Sequence, residues 1–279
     1  MHTRYSVHPE AYQHMNNKEL RQNFLVDSLF NEGKLDLLYW ENERAVIGSA
    51  IPTSDPLPLE AGKELAAEYF LQRREAGILN VGATGSVTVD GTTYDMENRD
   101  CLYLGKGVKE VAFTSADPAS PARFYILSYP AHTTYPTVLA KRGDATPVTL
   151  GSNLGCNERT IYKYIHPEGI QSCQLVMGFT ELAPGSVWNT MPCHMHARRT
   201  EVYLYFGIDT ENVVFHLMGP PGETKHLIMR NEQIALSPIW SIHSGCGTGA
   251  YAFVWGMGGE NQAFGDMDSV SMDELAGTA

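Results

Sequence analysis

Several features that mark other protein classes are scarce in this chain of 279 residues. It has five cysteines, an odd number, and no CxxC pair, which argues against both a disulfide framework and a thiolate zinc site. No apolar run approaches the roughly 20 residues that cross a bilayer, and the polar N-terminus has no apolar signal-peptide core. We therefore expect a cytoplasmic protein with reduced cysteines and no membrane partner.

Positive charge is also in short supply. Lys and Arg number 20 against 32 Asp and Glu, which gives a net charge of −12 with no basic patch, so nucleic acid is not an expected partner. With 19% charged and 43% hydrophobic residues, the chain is too apolar for disorder and can bury a sizeable core. Its length fits two modest domains or one double-sized fold.

Helical periodicity is rare, and the plausible helices are limited to residues 63–74 and 268–275. Most of the chain alternates short segments rich in Val, Ile, Tyr and Phe with Gly, Pro, Asp and Asn, a pattern typical of antiparallel strands. The run 86–89 before Asp90-Gly91 is a hairpin signal. The fold class predicted is all-β, of barrel or sandwich type.

The two halves of the chain echo one another. Arg73-Arg74-Glu75 and Arg198-Arg199-Thr200-Glu201 each precede an apolar strand that ends at a glycine, and residues 100–110 align with 232–243. Two unrelated β segments would be the alternative. We predict a duplicated β-barrel, with an N-terminal barrel over residues 1–140 and a C-terminal barrel over 141–279.

The strongest chemical signal is His194-Met195-His196 followed by Glu201. Residues i and i+2 of a strand point to one face, so both imidazoles can reach one point, which the glutamate can join from the next strand. His243, at the end of a distant apolar run, is placed to be a fourth ligand. Each residue alone could be a surface or core side chain, but together they predict a site for a first-row divalent metal such as Zn, Mn, Fe or Ni.

The N-terminal half has no such set. No His-x-His precedes Glu75, and Glu110 stands where the last histidine would be. Too few imidazoles remain for a transition-metal site. We predict a metal-free first barrel that serves packing or an oligomer interface.

The spacing His-x-His-x4-Glu, with Pro238-x4-His243, resembles the two signature motifs of the cupin superfamily, although Trp240 stands where cupins usually carry glycine. A closer resemblance rests on longer segments spread over nearly the whole chain, at residues 69–77, 132–137, 159–163, 182–194 and 255–262. They are Tyr-Phe-Leu-Gln-Arg-Arg-Glu-Ala-Gly, His-Thr-Thr-Tyr-Pro-Thr, Arg-Thr-Ile-Tyr-Lys, Leu-Ala-Pro-Gly-Ser-Val-Trp-Asn-Thr-Met-Pro-Cys-His and Trp-Gly-Met-Gly-Gly-Glu-Asn-Gln. These segments resemble the 5-keto-4-deoxyuronate isomerase family (4-deoxy-L-threo-5-hexosulose-uronate ketol-isomerase).

The resemblance implies a fold, a cofactor and a reaction. It implies a bicupin that forms a cytoplasmic homohexamer, with one Zn²⁺ per chain on His194, His196, Glu201 and His243. It also implies a ketol-isomerase of pectin and polyuronate degradation. Such an enzyme interconverts 5-dehydro-4-deoxy-D-glucuronate and 3-deoxy-D-glycero-2,5-hexodiulosonate through a metal-stabilised enediolate.

That chemistry calls for further residues. An acidic sugar needs a cationic clamp, for which Arg198, Arg159 and Lys163 are candidates. The base that removes the α-proton is sought among three residues that we leave unranked, because spacing does not place them beside a bound sugar. They are Glu181, His226 and Tyr203.

Two other functions fit the same ligand set. An iron-dependent cupin dioxygenase would consume oxygen, whereas a non-catalytic sugar-binding bicupin would hold its metal for structure alone. The intact ligand set of one barrel argues against the second, since storage cupins commonly lose theirs.

Overall fold

The computed structural model describes residues 1–275 and divides them into two compact units. The first unit comprises Met1–Arg4, Ser28–Thr146 and Tyr164–Val176, and the second comprises Tyr5–Asp27, Pro147–Lys163 and the described residues from Met177 onward. Each unit is therefore discontinuous in sequence. The division of the chain into two barrels at residue 140 stays a prediction, because the compact units are not separated by a single cut in the chain. Residues 276–279 of the predicted C-terminal barrel lie outside the described residues.

Strands dominate both units, which confirms the all-β prediction. They are, in chain order, β1 (His2–Arg4), β2 (Leu25–Val26), β3 (Leu35–Trp40), β4 (Ala45–Ala50), β5 (Leu57–Pro58), β6 (Arg74–Asn80), β7 (Gly85–Val89), β8 (Thr92–Met96), β9 (Cys101–Leu104), β10 (Val111–Ser115), β11 (Phe124–Pro130), β12 (Val138–Ala140), β13 (Pro147–Leu150), β14 (Arg159–Ile165), β15 (Val176–Leu182), β16 (Trp188–Asn189), β17 (His194–Met195), β18 (Arg199–Phe206), β19 (Val214–Gly219), β20 (Lys225–Met229), β21 (Gln233–Ser237), β22 (Ile242–Gly247), β23 (Ala252–Gly259) and β24 (Asp268–Ser269).

The sheet orders confirm the internal duplication. The first unit has a seven-stranded sheet, β1-β3-β4-β11-β6-β9-β12, and a four-stranded sheet, β5-β10-β7-β8. The second has a seven-stranded sheet, β13-β14-β15-β23-β18-β21-β2, and a four-stranded sheet, β16-β22-β19-β20. The central trio β11-β6-β9 thus corresponds to β23-β18-β21, and β10-β7-β8 corresponds to β22-β19-β20. A further two-stranded sheet pairs β17 with β24.

The Asp90-Gly91 pair forms the predicted hairpin. Val89 pairs with Thr92 across antiparallel strands β7 and β8. Asp90 and Gly91 have φ angles of +45° and +83°, so both central positions lie in the left-handed region that a two-residue turn of this twist requires. Along β7, buried residues alternate with partly exposed ones, which places one face of the strand on the core.

The helices differ from the prediction. Residues 63–74 form only two 3₁₀ turns, Lys63–Leu65 and Phe70–Gln72, because Ala66 adopts a left-handed conformation with φ of +44°. Residues 268–275 hold β24 and the 3₁₀ turn Met272–Glu274 rather than a helix. The remaining 3₁₀ turns and the two α-helices that the periodicity missed are Asn42–Arg44, Arg142–Asp144, α1 (Pro9–Gln13) and α2 (Asn17–Phe24). No helix within residues 1–275 has the length and apolarity of a membrane span.

The start of α2 carries a capping box. The Asn16 side chain accepts hydrogen bonds from the backbone N–H groups of Lys18 and Glu19, at 3.0 and 3.1 Å. The Glu19 carboxylate in turn accepts from the Asn16 N–H, at 2.9 Å. These bonds satisfy N–H groups that a helix leaves without partners at its first turn.

Trp240, the departure from the cupin pattern, packs under this helical segment. Its ring centroid lies 5.2 Å from that of Tyr12 and 5.9 Å from that of Phe24, and its Nε1 donates to the Val7 carbonyl at 3.2 Å. The large side chain therefore anchors the N-terminal helices to the second unit.

The first barrel has an apolar interior, and Ala76 takes the place that Glu201 has in the second barrel, since Ala76 pairs with the last residue of β9 as Glu201 pairs with the last residue of β21. Ala76, Ile78, Leu104 and Val111 belong to one buried hydrophobic cluster. Because side chains alternate along a strand, Glu75 points to the opposite face of the sheet from Ala76. Ala76, and not Glu75, therefore corresponds to Glu201. The predicted alignment of the two halves is corrected by one residue.

The Glu75 carboxylate is fully buried and has its own partners within the first unit. It accepts hydrogen bonds from three successive backbone N–H groups, those of Cys173, Gln174 and Leu175, at 2.7, 2.8 and 2.9 Å. The Tyr103 hydroxyl donates a fourth bond at 2.8 Å. The carboxylate thus fastens residues 173–175 to the sheet.

Replacing Glu75 by alanine is expected to lower the free energy of unfolding by about 2 kcal/mol, because buried N–H groups lose their acceptor. Urea denaturation of Glu75→Ala measures this loss. The matched control is Glu110→Ala, which removes an exposed carboxylate from the same unit and should change stability by less than about 0.5 kcal/mol. Equal stability of the two variants would contradict a fastening role for Glu75.

Candidate metal centre

Four side chains of the second unit converge on one point. His194 lies on β17, His196 follows it by two residues, Glu201 lies on β18 and His243 lies on β22. Their nearest ligand atoms all fall within 4.8 Å of one another. The structure therefore brings together all four residues that the sequence predicted as metal ligands.

The donor atoms face one another closely. Glu201 Oε2 lies 2.7 Å from His243 Nε2 and 2.9 Å from His196 Nε2. His194 Nε2 lies 3.0 Å from His243 Nε2 and 3.2 Å from His196 Nε2. Glu201, His196 and His243 are buried, whereas His194 is partly exposed, so the cluster is reached from the His194 side.

The protonation pattern suits a cation at the centre. His196 Nδ1 lies 2.5 Å from the Asp266 carbonyl oxygen, which can only accept, so Nδ1 carries a proton and Nε2 is the atom left to bind an ion at the centre. Burial, together with the nearby His243, lowers the pKa of His194 to about 3, which keeps the His194 ring neutral. A positive ion at the centre would be attracted by the Glu201 carboxylate and would take the lone pairs of the imidazole Nε2 atoms.

Glu201 stays ionised in this setting. Burial acts to raise the pKa of its carboxyl group, but His243 and His196 outweigh that effect and hold the pKa well below its ordinary value. Three imidazole nitrogens and one carboxylate oxygen form a donor set that first-row divalent metals favour. The residues present therefore fit a metal ion.

A cavity of ≈ 230 Å³ opens beside the cluster. His194, His196 and Glu201 form part of its wall, and most of the rest is apolar or aromatic. The other lining residues are Leu150, Arg159, Ile161, Thr180, Thr190, Pro192, Arg199, Tyr203, Phe253, Trp255, Met257, Phe264 and Met267.

Arg159 is a cationic side chain of this wall, and it has N–H groups available to a ligand. Its Nη1 donates to the Asn157 carbonyl at 2.9 Å, and within residues 1–275 its other N–H groups meet no hydrogen-bond acceptor. Burial lowers the pKa of Arg159 below its ordinary value, which still leaves the guanidinium charged at neutral pH. The side chain is thus available for an anionic ligand.

The other predicted cations have different positions. Arg198 does not line the cavity, and its guanidinium binds Asp266 and Asp268, with Nη2–Oδ1 distances of 2.6 and 2.8 Å. Lys163 also lies off the wall, with its Nζ 5.0 Å from the centroid of the Phe264 ring. Of the three predicted cations, Arg159 is the one that lines the cavity.

Comparison with known proteins gives the relationship. The family model described as "KduI/IolB family" matches residues 24–272. The chain belongs to the KduI/IolB family. This membership confirms the resemblance predicted from the sequence segments.

Two relatives align over nearly the full length of this family member. A protein of Lachnoclostridium phytofermentans is 54% identical over 275 residues, which cover 99% of this chain and 100% of that protein. A protein of Escherichia coli is 50% identical over 277 residues, with the same coverage. Both are named 4-deoxy-L-threo-5-hexosulose-uronate ketol-isomerase.

Solved structures share the fold at low identity. An IolB-like protein of Salmonella typhimurium aligns with a TM-score of 0.71 and 13% identity, over 89% of this chain and 97% of that one. Oxalate decarboxylase of Bacillus subtilis, whose Mn(II) centres have been characterised, aligns with a TM-score of 0.58 and 10% identity, over 84% and 72% of the two chains. These likenesses confirm the bicupin architecture.

The three candidates for the catalytic base lie at different places in this family member. Tyr203 is buried in the cavity wall, and its ring centroid lies 5.5 Å from that of His243. Glu181 lies on β15 outside the wall. His226 is exposed on β20, beside Phe215. Only Tyr203 of the three reaches the cavity.

Tyr203 suits donation better than proton removal. Burial, followed by the Glu201 carboxylate, raises the pKa of the phenol well above its ordinary value, so the hydroxyl stays protonated. The hydroxyl lies 3.4 Å from Thr190 Oγ1. A protonated phenol in the wall can donate a hydrogen bond to an oxygen of a ligand.

The spacing of residues in the sequence did not predict several residues of the cavity wall. Phe264 and Met267 come from the stretch after β23, which has no strand pattern, and Thr180 and Phe253 resemble ordinary strand residues. Trp255 opened one of the segments that carried the family resemblance, which was the available sign that this strand lies at the site.

Proposed function

We propose that this chain is a ketol-isomerase that interconverts 4-deoxy-L-threo-5-hexosulose uronate (5-dehydro-4-deoxy-D-glucuronate) and 3-deoxy-D-glycero-2,5-hexodiulosonate. The observation that carries the proposal is 54% identity, over 99% of the chain, to a protein named for this isomerase activity. The four-residue cluster and the adjoining cavity give the activity a site. The place of such an enzyme is the breakdown of pectin and related polyuronates.

The reaction moves a carbonyl between adjacent carbons. An aldehyde beside a CH–OH becomes a ketone beside a CH₂OH, so a proton leaves the second carbon, another joins the first, and an enediolate forms between the two steps. The main electrostatic demand is to hold the oxygen on which negative charge develops.

We propose that His194, His196, Glu201 and His243 bind one Zn²⁺ per chain. Three imidazoles with one carboxylate are within the ligand range of zinc, and a partly exposed side of the cluster lets a sugar oxygen approach. When bound, the ion would polarise the substrate carbonyl and stabilise negative charge on oxygen without redox chemistry.

The chain itself would bind and orient the sugar. Arg159 offers its guanidinium to the substrate carboxylate, a planar group that matches the fork of N–H donors. Trp255, Phe253 and Met257 exclude water from the wall, which strengthens electrostatic interactions inside the cavity. Tyr203 would donate a hydrogen bond to a substrate oxygen that gains charge.

Replacing Tyr203 by phenylalanine is expected to lower kcat by about tenfold, since a hydrogen bond of about 1.4 kcal/mol is lost from the transition state. Metal content should not change, because the hydroxyl is not a ligand. Steady-state kinetics with metal analysis measure both quantities. An unchanged kcat would remove the hydroxyl from the reaction.

Isomerisation in D₂O tests the proposed function. The zinc-loaded chain is incubated with 4-deoxy-L-threo-5-hexosulose uronate, and NMR follows the loss of the aldehyde signal and the deuterium content of the new CH₂OH group. Proton transfer by way of an enediolate predicts ketone formation with solvent deuterium at that carbon. Ketone formation without any deuterium would show that the migrating hydrogen does not exchange with solvent, by hydride transfer or by return of the same proton.

The same assay separates the rival functions when dissolved oxygen is recorded. Oxygen uptake that accompanies substrate loss would identify an iron-type cupin dioxygenase. Substrate binding without turnover would identify a sugar-binding bicupin. Either outcome would overturn the isomerase proposal.

We also propose a homohexamer in the cytoplasm, as the family resemblance implies. Light scattering after gel filtration would give about six times the chain mass of 30.8 kDa for a hexamer.

A further inference from the structure

The stretch after β23 returns across the candidate metal centre. We name residues 261–270 the C-terminal strap. Its strand β24 pairs with β17, with Ser269 opposite His194 and Asp268 opposite Met195. The Val270 N–H donates to the Cys193 carbonyl at 3.0 Å. The strap is thus hydrogen-bonded to the strand that carries the first histidine of the cluster.

One buried arginine donates hydrogen bonds to several carbonyls in the loop of this strap. Arg199 is 1% exposed, and its two Nη atoms donate to four backbone carbonyls. Nη1 reaches Asn261 at 3.2 Å and Ala263 at 2.7 Å, and Nη2 reaches Phe264 at 3.3 Å and Asp266 at 3.1 Å. Carbonyl oxygens that point at one place repel, so the guanidinium charge at their centre stabilises this shape of the loop.

The Asp266 carbonyl is shared by two side chains. It accepts from Arg199 Nη2 and also from His196 Nδ1, at 2.5 Å. The second bond sets the tautomer and orientation of the His196 ring, so that Nε2 faces Glu201. Arg199 therefore acts on the cluster through a backbone atom of the strap.

We propose that Arg199 is a positioning residue that couples the C-terminal strap to metal binding at the cluster. Arg199 holds the Asp266 carbonyl against His196, and the same loop carries Phe264 and Met267 into the cavity wall. Metal binding and an ordered strap then favour each other, and linkage makes the effect reciprocal. The inference rests on the proposed metal site and adds the residue that tunes it.

Arg198 also holds the strap, through ion pairs. Arg198 binds Asp266 and Asp268 of the strap from the exposed side, while Arg199 binds its carbonyls from the buried side. Two successive arginines therefore hold one segment. Of the two, only Arg199 contacts the carbonyl that orients His196.

Arg199→Met and Arg199→Lys test the coupling, with zinc as the metal. Zinc affinity is measured by competition with a chromophoric chelator, which needs no substrate turnover. Loss of a group that orients a ligand typically weakens metal binding by about 10- to 100-fold, which we expect for Arg199→Met. Lysine keeps the charge but not the fork of donors, so Arg199→Lys should fall between Arg199→Met and the wild type.

A buried arginine of the first unit is the matched control. Arg74 is 6% exposed and donates to the carbonyls of Arg44 and Ser128, at 2.6 and 2.8 Å. Arg74→Met should lower stability while leaving zinc affinity unchanged. Equal losses of zinc affinity in Arg74→Met and Arg199→Met would overturn the proposal, because general destabilisation would then explain both.

Hydrogen exchange of the wild type keeps the test independent of how the variants fold. The amides of Asp266, Met267 and Val270 donate to strap or β17-side carbonyls and report on the order of the strap. Zinc should slow their exchange, whereas exchange unchanged by bound zinc would overturn the coupling. A wild type that binds no zinc would overturn the metal site as well, whereas wild-type affinity in Arg199→Met would overturn this inference alone.

Discussion

His196→Ala is expected to lower isomerase turnover by about a thousandfold and to strip the chain of its metal. The variant loses one of four ligands, and with it the N–H group that donates to the Asp266 carbonyl of the strap. A metal that polarises a carbonyl contributes several kcal/mol to transition-state stabilisation, and each 1.36 kcal/mol is a factor of ten in rate. Metal analysis and steady-state kinetics measure the two losses on one preparation.

His226→Ala is the matched control for this variant. It removes an exposed imidazole of the same unit, from a strand that does not reach the cavity. Metal content and turnover should match the wild type, which would also dismiss His226 as the base. Full, tight metal occupancy in His196→Ala would contradict the ligand assignment.

Arg159→Met is expected to raise the KM for the uronate by about a hundredfold while metal content stays at the wild-type value. The guanidinium lies in the cavity wall with N–H donors to spare, and a charge-assisted bond to a carboxylate is worth about 1.5–3 kcal/mol. Methionine keeps the apolar stem and removes the charge. Kinetics on Arg159→Met and Arg159→Lys separate the loss of charge from the loss of the planar fork.

Arg198→Met is the control, because its side chain already binds two carboxylates on the strap and does not line the cavity. Its effect on KM should be much smaller than that of Arg159→Met. A large rise in KM for Arg198→Met with none for Arg159→Met would contradict the placement of the substrate carboxylate and restore the clamp that spacing alone first suggested.

Patterns with a short period predicted much of the fold. Alternation along a strand and turn pairs such as Asp90-Gly91 depend on neighbouring residues, so they are visible in the sequence. The helix α2 has its signal in the Asn16-x-x-Glu19 box, which a search for apolar periodicity passes over. The offset between Glu75 and Ala76 was beyond reach, because a weak repeat aligns within one residue and one residue reverses the face of a strand.

The candidate site likewise has a part that could be predicted from the sequence and a part that could not. His194 and His196 share a strand-like spacing, and the metal ligands were therefore predictable as a set. Arg198 looked close to the cluster because it is close in sequence, but Asp266 and Asp268, about 70 residues later, bind it instead. Long-range pairings of this kind, including the carbonyls that Arg199 gathers, depend on a segment without any periodic signal.

Zinc titration into the metal-stripped chain tests the central claim most directly, with turnover of 4-deoxy-L-threo-5-hexosulose uronate recorded at each addition. A single catalytic site in the second unit predicts no turnover in the stripped chain, a linear rise with added zinc and a plateau at one ion per chain. Full turnover by the stripped chain, or a plateau that needs two ions per chain, would contradict the account.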